Sequence, residues 1–69
     1  MLIGELANAS GLSREALRFY EQQGLIRSRR LANGYRDYPA ETSMLVQYIR
    51  TAQQLGFTLA EIGDRLPAI

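Results

Sequence analysis

The stretch ALRFYEQQGLI, residues 16–26, mixes apolar, aromatic, arginine and polar side chains and then stops at Gly24. Projected at about 100° per residue, Ala16, Leu17 and Tyr20 share a narrow apolar stripe. Arg14, Glu15, Arg18 and Gln22 lie broadly opposite, and Phe19 falls at the border. This pattern predicts a helix over residues 14–23 with one face for a core and one for a charged surface. Ser13 is a suitable N-cap, because its hydroxyl accepts an orphan backbone N–H. Leu12 and Leu17 flank that cap as a hydrophobic staple. Gly24 suits a left-handed helix terminus.

Upstream, Ile3, Leu6 and Ala7 share one face of a first helix over about residues 4–10, and Gly11 supplies the turn. Ala7, Gly11 and Leu17 have the spacing of a helix-turn-helix: a small residue at the crossing, a turn glycine, and a branched side chain filling the angle. A plain helical corner fits the same spacing. Downstream, Asn33-Gly34 signals a tight hairpin of type I′, with strands over about residues 29–32 and 35–38. Leu25, Ile26 and Tyr38 are the residues to anchor it, and Tyr38 and Tyr48 are read as core.

A third helix opens near Pro39, with Leu45, Tyr48, Ile49, Ala52 and Leu55 as its apolar stripe and Gly56 at its end. Thr58 and Glu61 form a capping box, with Phe57 and Ile62 as its staple. A last helix follows over about residues 59–66, burying Leu59, Ile62 and Leu66, and Pro67 stops it. The expected fold is mainly α, a single domain over residues 1–69. Its order is helix, helix, two-stranded hairpin, helix, helix, a winged helix-turn-helix.

Composition limits the chemistry. The 69 residues contain no cysteine and no histidine, so disulfides, thiolate nucleophiles and the commonest neutral-pH acid–base group are all missing. No apolar run approaches a membrane span, and no basic-then-apolar leader opens the chain. The expectation is a cytoplasmic domain that is not an enzyme, with no cofactor and no metal. The net charge of +1 hides a local one: Arg14, Arg18, Arg27, Arg29, Arg30 and Arg36 face only Glu15 and Glu21 over residues 14–36. All eight basic residues are arginine, whose planar fork suits phosphate oxygens and guanine edges. A solvated face accounts for the same charge.

Three blocks, IGELANASGLSREALRFYEQQGLI, NGYRDY and QLGFTLAEI, resemble in order and spacing the N-terminal winged-helix domain of the MerR family of bacterial transcription regulators. The resemblance implies binding of promoter DNA by a homodimer, with RNA polymerase as a further partner. It places the second helix in the major groove and the hairpin wing on the flanking backbone. By the same resemblance Arg14 and Arg18 face DNA, Tyr20 reaches a phosphate or packs beneath it, Tyr35 and Arg36 belong to the wing, and Phe57 and Thr58 approach a phosphate. The candidate contact set is Ser13, Arg14, Glu15, Arg18, Phe19, Tyr20, Arg29, Arg30, Tyr35, Arg36 and Thr58.

The chain departs from the family pattern in three respects. The long dimerisation helix and the sensor region of full-length members are not in this sequence. The cysteines of metal-sensing members are lacking, and Pro39 stands where a serine-type cap is common. Two other readings remain at this point: an excisionase-like architectural protein that bends DNA, and a protein-interaction module docking through Phe19, Leu31 and Tyr35.

Overall fold

A computed structural model describes residues 1–66. Its elements are α1 (Ile3–Ser10), α2 (Arg14–Gln22), β1 (Arg29–Arg30), β2 (Arg36–Asp37), α3 (Thr42–Gln54) and α4 (Leu59–Gly63). The predicted order of elements holds. The core is one cluster built from all four helices and the two segments flanking the hairpin: Leu6 of α1, Leu17 and Tyr20 of α2, Leu25 and Ile26 after α2, Tyr38 just past β2, Val46 and Ile49 of α3, and Ile62 of α4.

The helix-turn-helix forms as the sequence requires. The Gly11 N–H donates to the Ala7 carbonyl at 2.9 Å, and Gly11 takes a left-handed φ of 75°. Ser13 Oγ accepts the Ala16 N–H at 3.1 Å, which starts α2. Ser10 is buried at the corner. Its Oγ accepts the Leu12 N–H, while its carbonyl accepts both Gln47 Nε2 and Arg50 Nη1 at 3.1 Å. Two polar side chains of α3 therefore pin the turn that sets the angle between α1 and α2. At the other end of α2, the Leu25 N–H reaches the Tyr20 carbonyl and the Gly24 N–H reaches that of Glu21, with Gly24 at φ 78°. This closes the helix as a Schellman motif, with Leu25 and Tyr20 both belonging to the core.

The hairpin differs from expectation. Its strands are two residues each, paired antiparallel as Arg29–Asp37 and Arg30–Arg36. A two-residue Asn33-Gly34 turn would shift that register by one. Instead the Leu31 N–H donates to the Tyr35 carbonyl at 2.7 Å and the Gly34 N–H to the Leu31 carbonyl at 2.9 Å. Gly34 alone in the loop has positive φ, so the type I′ assignment is corrected to a three-residue loop, Ala32, Asn33 and left-handed Gly34. Asn33 uses its side chain, its Oδ1 accepting the Tyr35 N–H at 3.0 Å.

The hairpin is held to the body from two sides. Leu2 bridges Asp37, the Met1 amino group donates to Asp37 Oδ1 at 2.8 Å and to the Tyr38 carbonyl, and the Tyr38 N–H donates to the Met1 carbonyl. From the other side, fully buried Tyr38 reaches α2 through Glu21.

Three helix assignments need correction. First, α3 begins at Thr42, because Pro39–Thr42 is a separate turn closed by the Thr42 N–H on the Pro39 carbonyl. Second, α3 buries Thr42, Val46 and Ile49, whereas Tyr48 is 51% and Leu55 74% exposed. Tyr48 is not core. With Met44, these two lie about 100–140° around the helix from Ile49, and apolar residues on both arcs blurred the periodicity. Third, α4 ends at Gly63, and the Arg65 N–H to Ile62 carbonyl bond continues it only as a turn. A Cβ on Gly63 would stand 3.2 Å from Leu25 Cδ2, so the bare residue lets α4 approach the end of α2 closely. The Pro67 stop lies outside the described residues.

Candidate nucleic-acid interface

One open groove runs between α1, the exposed face of α2 and the hairpin. Arg14 and Arg18 line it from α2, and Arg30, Tyr35 and Arg36 line it from the hairpin. Five of the eleven predicted contact residues thus share one concave surface. The groove also takes Asn8 from α1 and Gln22 from α2, which the candidate set omitted. Gln22 had a legible signal, since Arg14, Arg18 and Gln22 recur every four residues along one face. Asn8 had none, because nothing in the sequence said which outer residues of α1 would border the groove.

The charges in the groove divide into bound and free. Glu21 is fully engaged: it accepts the Tyr38 hydroxyl at 2.7 Å and Ser28 Oγ at 2.9 Å, and it faces Arg36 Nε at 3.8 Å. Glu5 accepts the Leu2 N–H at 2.7 Å and so caps α1. Arg30 Nη1 makes a long bond of 3.4 Å to the Gly34 carbonyl inside its own loop. Among the described residues, the guanidinium groups of Arg14 and Arg18 have no carboxylate within 4.0 Å and donate no hydrogen bond. Two guanidinium groups therefore stand in the groove with open donors. A guanidinium recognises phosphate or a base edge through such donors, often two at a time.

The other predicted residues sit elsewhere. Ser13 is spent on capping α2, and exposed Glu15 lies in the first turn, where it complements the helix dipole. Phe19 is 46% exposed, while Tyr20 is buried to 5% and its hydroxyl donates to Gln53 Oε1 at 2.6 Å. Burial pushes the Tyr20 phenol up in pKa, against a smaller opposing pull from Arg50. The structure assigns Tyr20 to the core. Arg29 projects into solvent 3.8 Å from Asp37 Oδ2. The Asp37 carboxyl is held below its usual range, chiefly by its hydrogen bond from the Met1 amino group.

Thr58 is committed to its capping box: its N–H and hydroxyl both donate to Glu61 Oε1, and its Oγ1 accepts the Glu61 N–H. The two bonds donated to the carboxylate, the backbone one first, depress the Glu61 pKa. The Glu61 carboxylate thus sits at the start of α4. Among the described residues no group of three or more acidic, histidine or cysteine side chains is placed to hold a metal ion, and no helix is long and apolar enough to cross a membrane.

A helix-turn-helix whose second helix faces outward beside a basic hairpin defines a winged helix-turn-helix domain. The comparisons with known proteins agree with that class. A family model described as MerR HTH family regulatory protein matches residues 1–69, and the chain belongs to that family. It is 43% identical to the mercuric resistance operon regulatory protein of Bacillus cereus over 97% of this chain and 52% of that protein. It is 43% identical to the HTH-type transcriptional regulator HmrR of Rhizobium leguminosarum bv. viciae, over 96% of this chain and 51% of that one. A solved structure of a MerR family transcriptional regulator from Bacillus cereus superposes with a TM-score of 0.83 at 30% identity, covering 99% of this chain and 55% of that one. The chain spans about half the length of the curated relatives it matches.

Proposed function

We propose that this chain binds double-stranded promoter DNA in a sequence-dependent way, as the DNA-binding part of a transcription regulator. In this reading α2 enters the major groove and presents Arg14, Arg18 and Gln22. The hairpin lays Arg30, Tyr35 and Arg36 along the flanking backbone. The observation that carries the reading is the pair of open guanidinium groups, Arg14 and Arg18, sharing one groove with the hairpin arginines. Phosphate contacts supply most of the affinity and make it salt-dependent. Specificity comes from the few α2 side chains that reach base edges and from DNA deformability.

A single domain of this size covers one half-site. Family membership adds the proposal that the whole protein acts as a homodimer on two half-sites, in the cytoplasm, with RNA polymerase as the machinery it influences. No covalent chemistry is assigned to the chain.

Mapping backbone amide shifts while titrating a duplex tests the reading. Shifts concentrated on residues 14–22 and on the hairpin support it. No shifts, or shifts confined to residues outside the groove such as Tyr48, Leu55 and Phe57, contradict it.

A further inference from the structure

Gly4 sits in the first turn of α1, half-buried in the wall of the groove. A Cβ placed there would stand 3.0 Å from Nη2 of Arg14, 3.7 Å from its Cζ and 4.0 Å from its Nε. The guanidinium of α2 thus rests against bare backbone of α1. Gly4 is not among the glycines with positive φ, so its backbone conformation does not call for glycine. Alanine is the better helix former at such a position, and only Arg14 approaches the space its methyl would fill.

Arg14 is oddly placed as well. It is the first residue of α2, where the helix dipole disfavours a cation, and no carboxylate lies within 4.0 Å of it among the described residues. No ion pair or side-chain hydrogen bond among the described residues accompanies the contact, so the guanidinium keeps its donors for an anion entering the groove.

We propose that Gly4 is a positioning residue: its missing side chain makes a seat on α1 that holds the Arg14 guanidinium ready for a DNA phosphate. The inference rests on the DNA-binding reading and deepens it. The seat confines a long side chain before binding, so less rotamer freedom is lost when the phosphate arrives. A methyl at Gly4 displaces only the far end of a flexible side chain, so folding survives while the seat is lost.

The test compares the wild-type chain with Gly4→Ala, Arg14→Ala and the double variant. Each is melted thermally and titrated by fluorescence anisotropy with a mixed-sequence DNA duplex. Gly4→Ala is expected to melt at or above the wild-type temperature, yet to bind about three- to tenfold more weakly, the scale of the rotamer freedom an unseated arginine loses on binding. In the Arg14→Ala background the same change is expected to shift affinity by less than about twofold.

The proposal is overturned if Gly4→Ala binds like wild type while Arg14→Ala does not, or if it weakens binding equally in both backgrounds. A melting point well below wild type overturns it too, since the glycine then serves the backbone. If Arg14→Ala binds normally, the seat serves no DNA contact and the wider reading stands. If the wild-type chain binds no duplex, the wider reading itself fails.

Discussion

The Tyr38 hydroxyl donates to Glu21 Oε1 at 2.7 Å, joining the end of the hairpin to the last turn of α2. Tyr38 is fully buried, and Glu21 also holds Ser28 and faces Arg36. One carboxylate therefore fixes the hairpin arginines relative to those of α2. This bond sets the shape of the groove more directly than the two-residue strands do, because so short a ribbon has little stability of its own.

Tyr38→Phe deletes that donor and leaves Glu21 Oε1 without it. The expected loss is about 1–2 kcal/mol of stability, read as a lower thermal midpoint. Burial, reinforced by the Glu21 carboxylate, pushes the Tyr38 phenol up to about 12 from an ordinary value of 10.0. The folded state holds this proton more tightly than the unfolded chain does. Its contribution is therefore full below pH 10 and is lost as pH rises through about 12. Denaturant melts of wild type across that alkaline window should show falling stability, and Tyr38→Phe should fall less.

Leu17 and Leu55 make a contrasting pair. Leu17 is 0% exposed at the centre of the helix-turn-helix, whereas Leu55 is 74% exposed on α3. Leu17→Ala should cost roughly 2–5 kcal/mol, enough to unfold much of so small a domain. Leu55→Ser should change stability by less than about 0.5 kcal/mol. Equal shifts in melting temperature would mean that the core is wrongly drawn.

The hairpin loop gives a sharper comparison. Gly34 has a φ of 87° and Asn33 does not have positive φ. Gly34→Val forces a branched side chain into the left-handed region at a cost of about 1–3 kcal/mol. Asn33→Val removes one exposed side-chain hydrogen bond to the Tyr35 N–H. Gly34→Val should therefore disorder the hairpin and weaken duplex binding while helical circular dichroism persists, and Asn33→Val should do much less. Equal damage from both would restore the type I′ turn, which needs positive φ at both positions.

The helix-turn-helix was legible because several independent local signals agreed over residues 12–25: a cap, a staple, an apolar stripe and a terminal glycine. The failures came where the deciding contact was distant in sequence. Whether Tyr48 or Val46 faces inward depends on where α1 packs against α3, and both arcs of α3 carry apolar residues. The pairing of Met1 and Leu2 with β2 leaves no local pattern at all. In the candidate site, the arginine cluster was visible as charge. The distinction between Arg36, held near Glu21, and the open Arg14 and Arg18 needed coordinates. Tyr20 carried both apolar spacing and a polar tip, and burial decided for the core.

The most direct test of the central claim is the salt dependence of duplex binding by wild type, Arg18→Ala and Arg65→Ala. Arg65 serves as the control, since it lines the hollow between α3 and α4 and not the basic groove. Each neutralised phosphate contributes about 0.9 to the slope of log affinity against log salt. The wild-type chain should show a steep negative slope. Arg18→Ala should lower it by about one, or relax sequence preference if Arg18 reaches a base edge, and Arg65→Ala should do neither. A flat wild-type slope, or an Arg18→Ala variant unchanged in both slope and preference, would contradict the account.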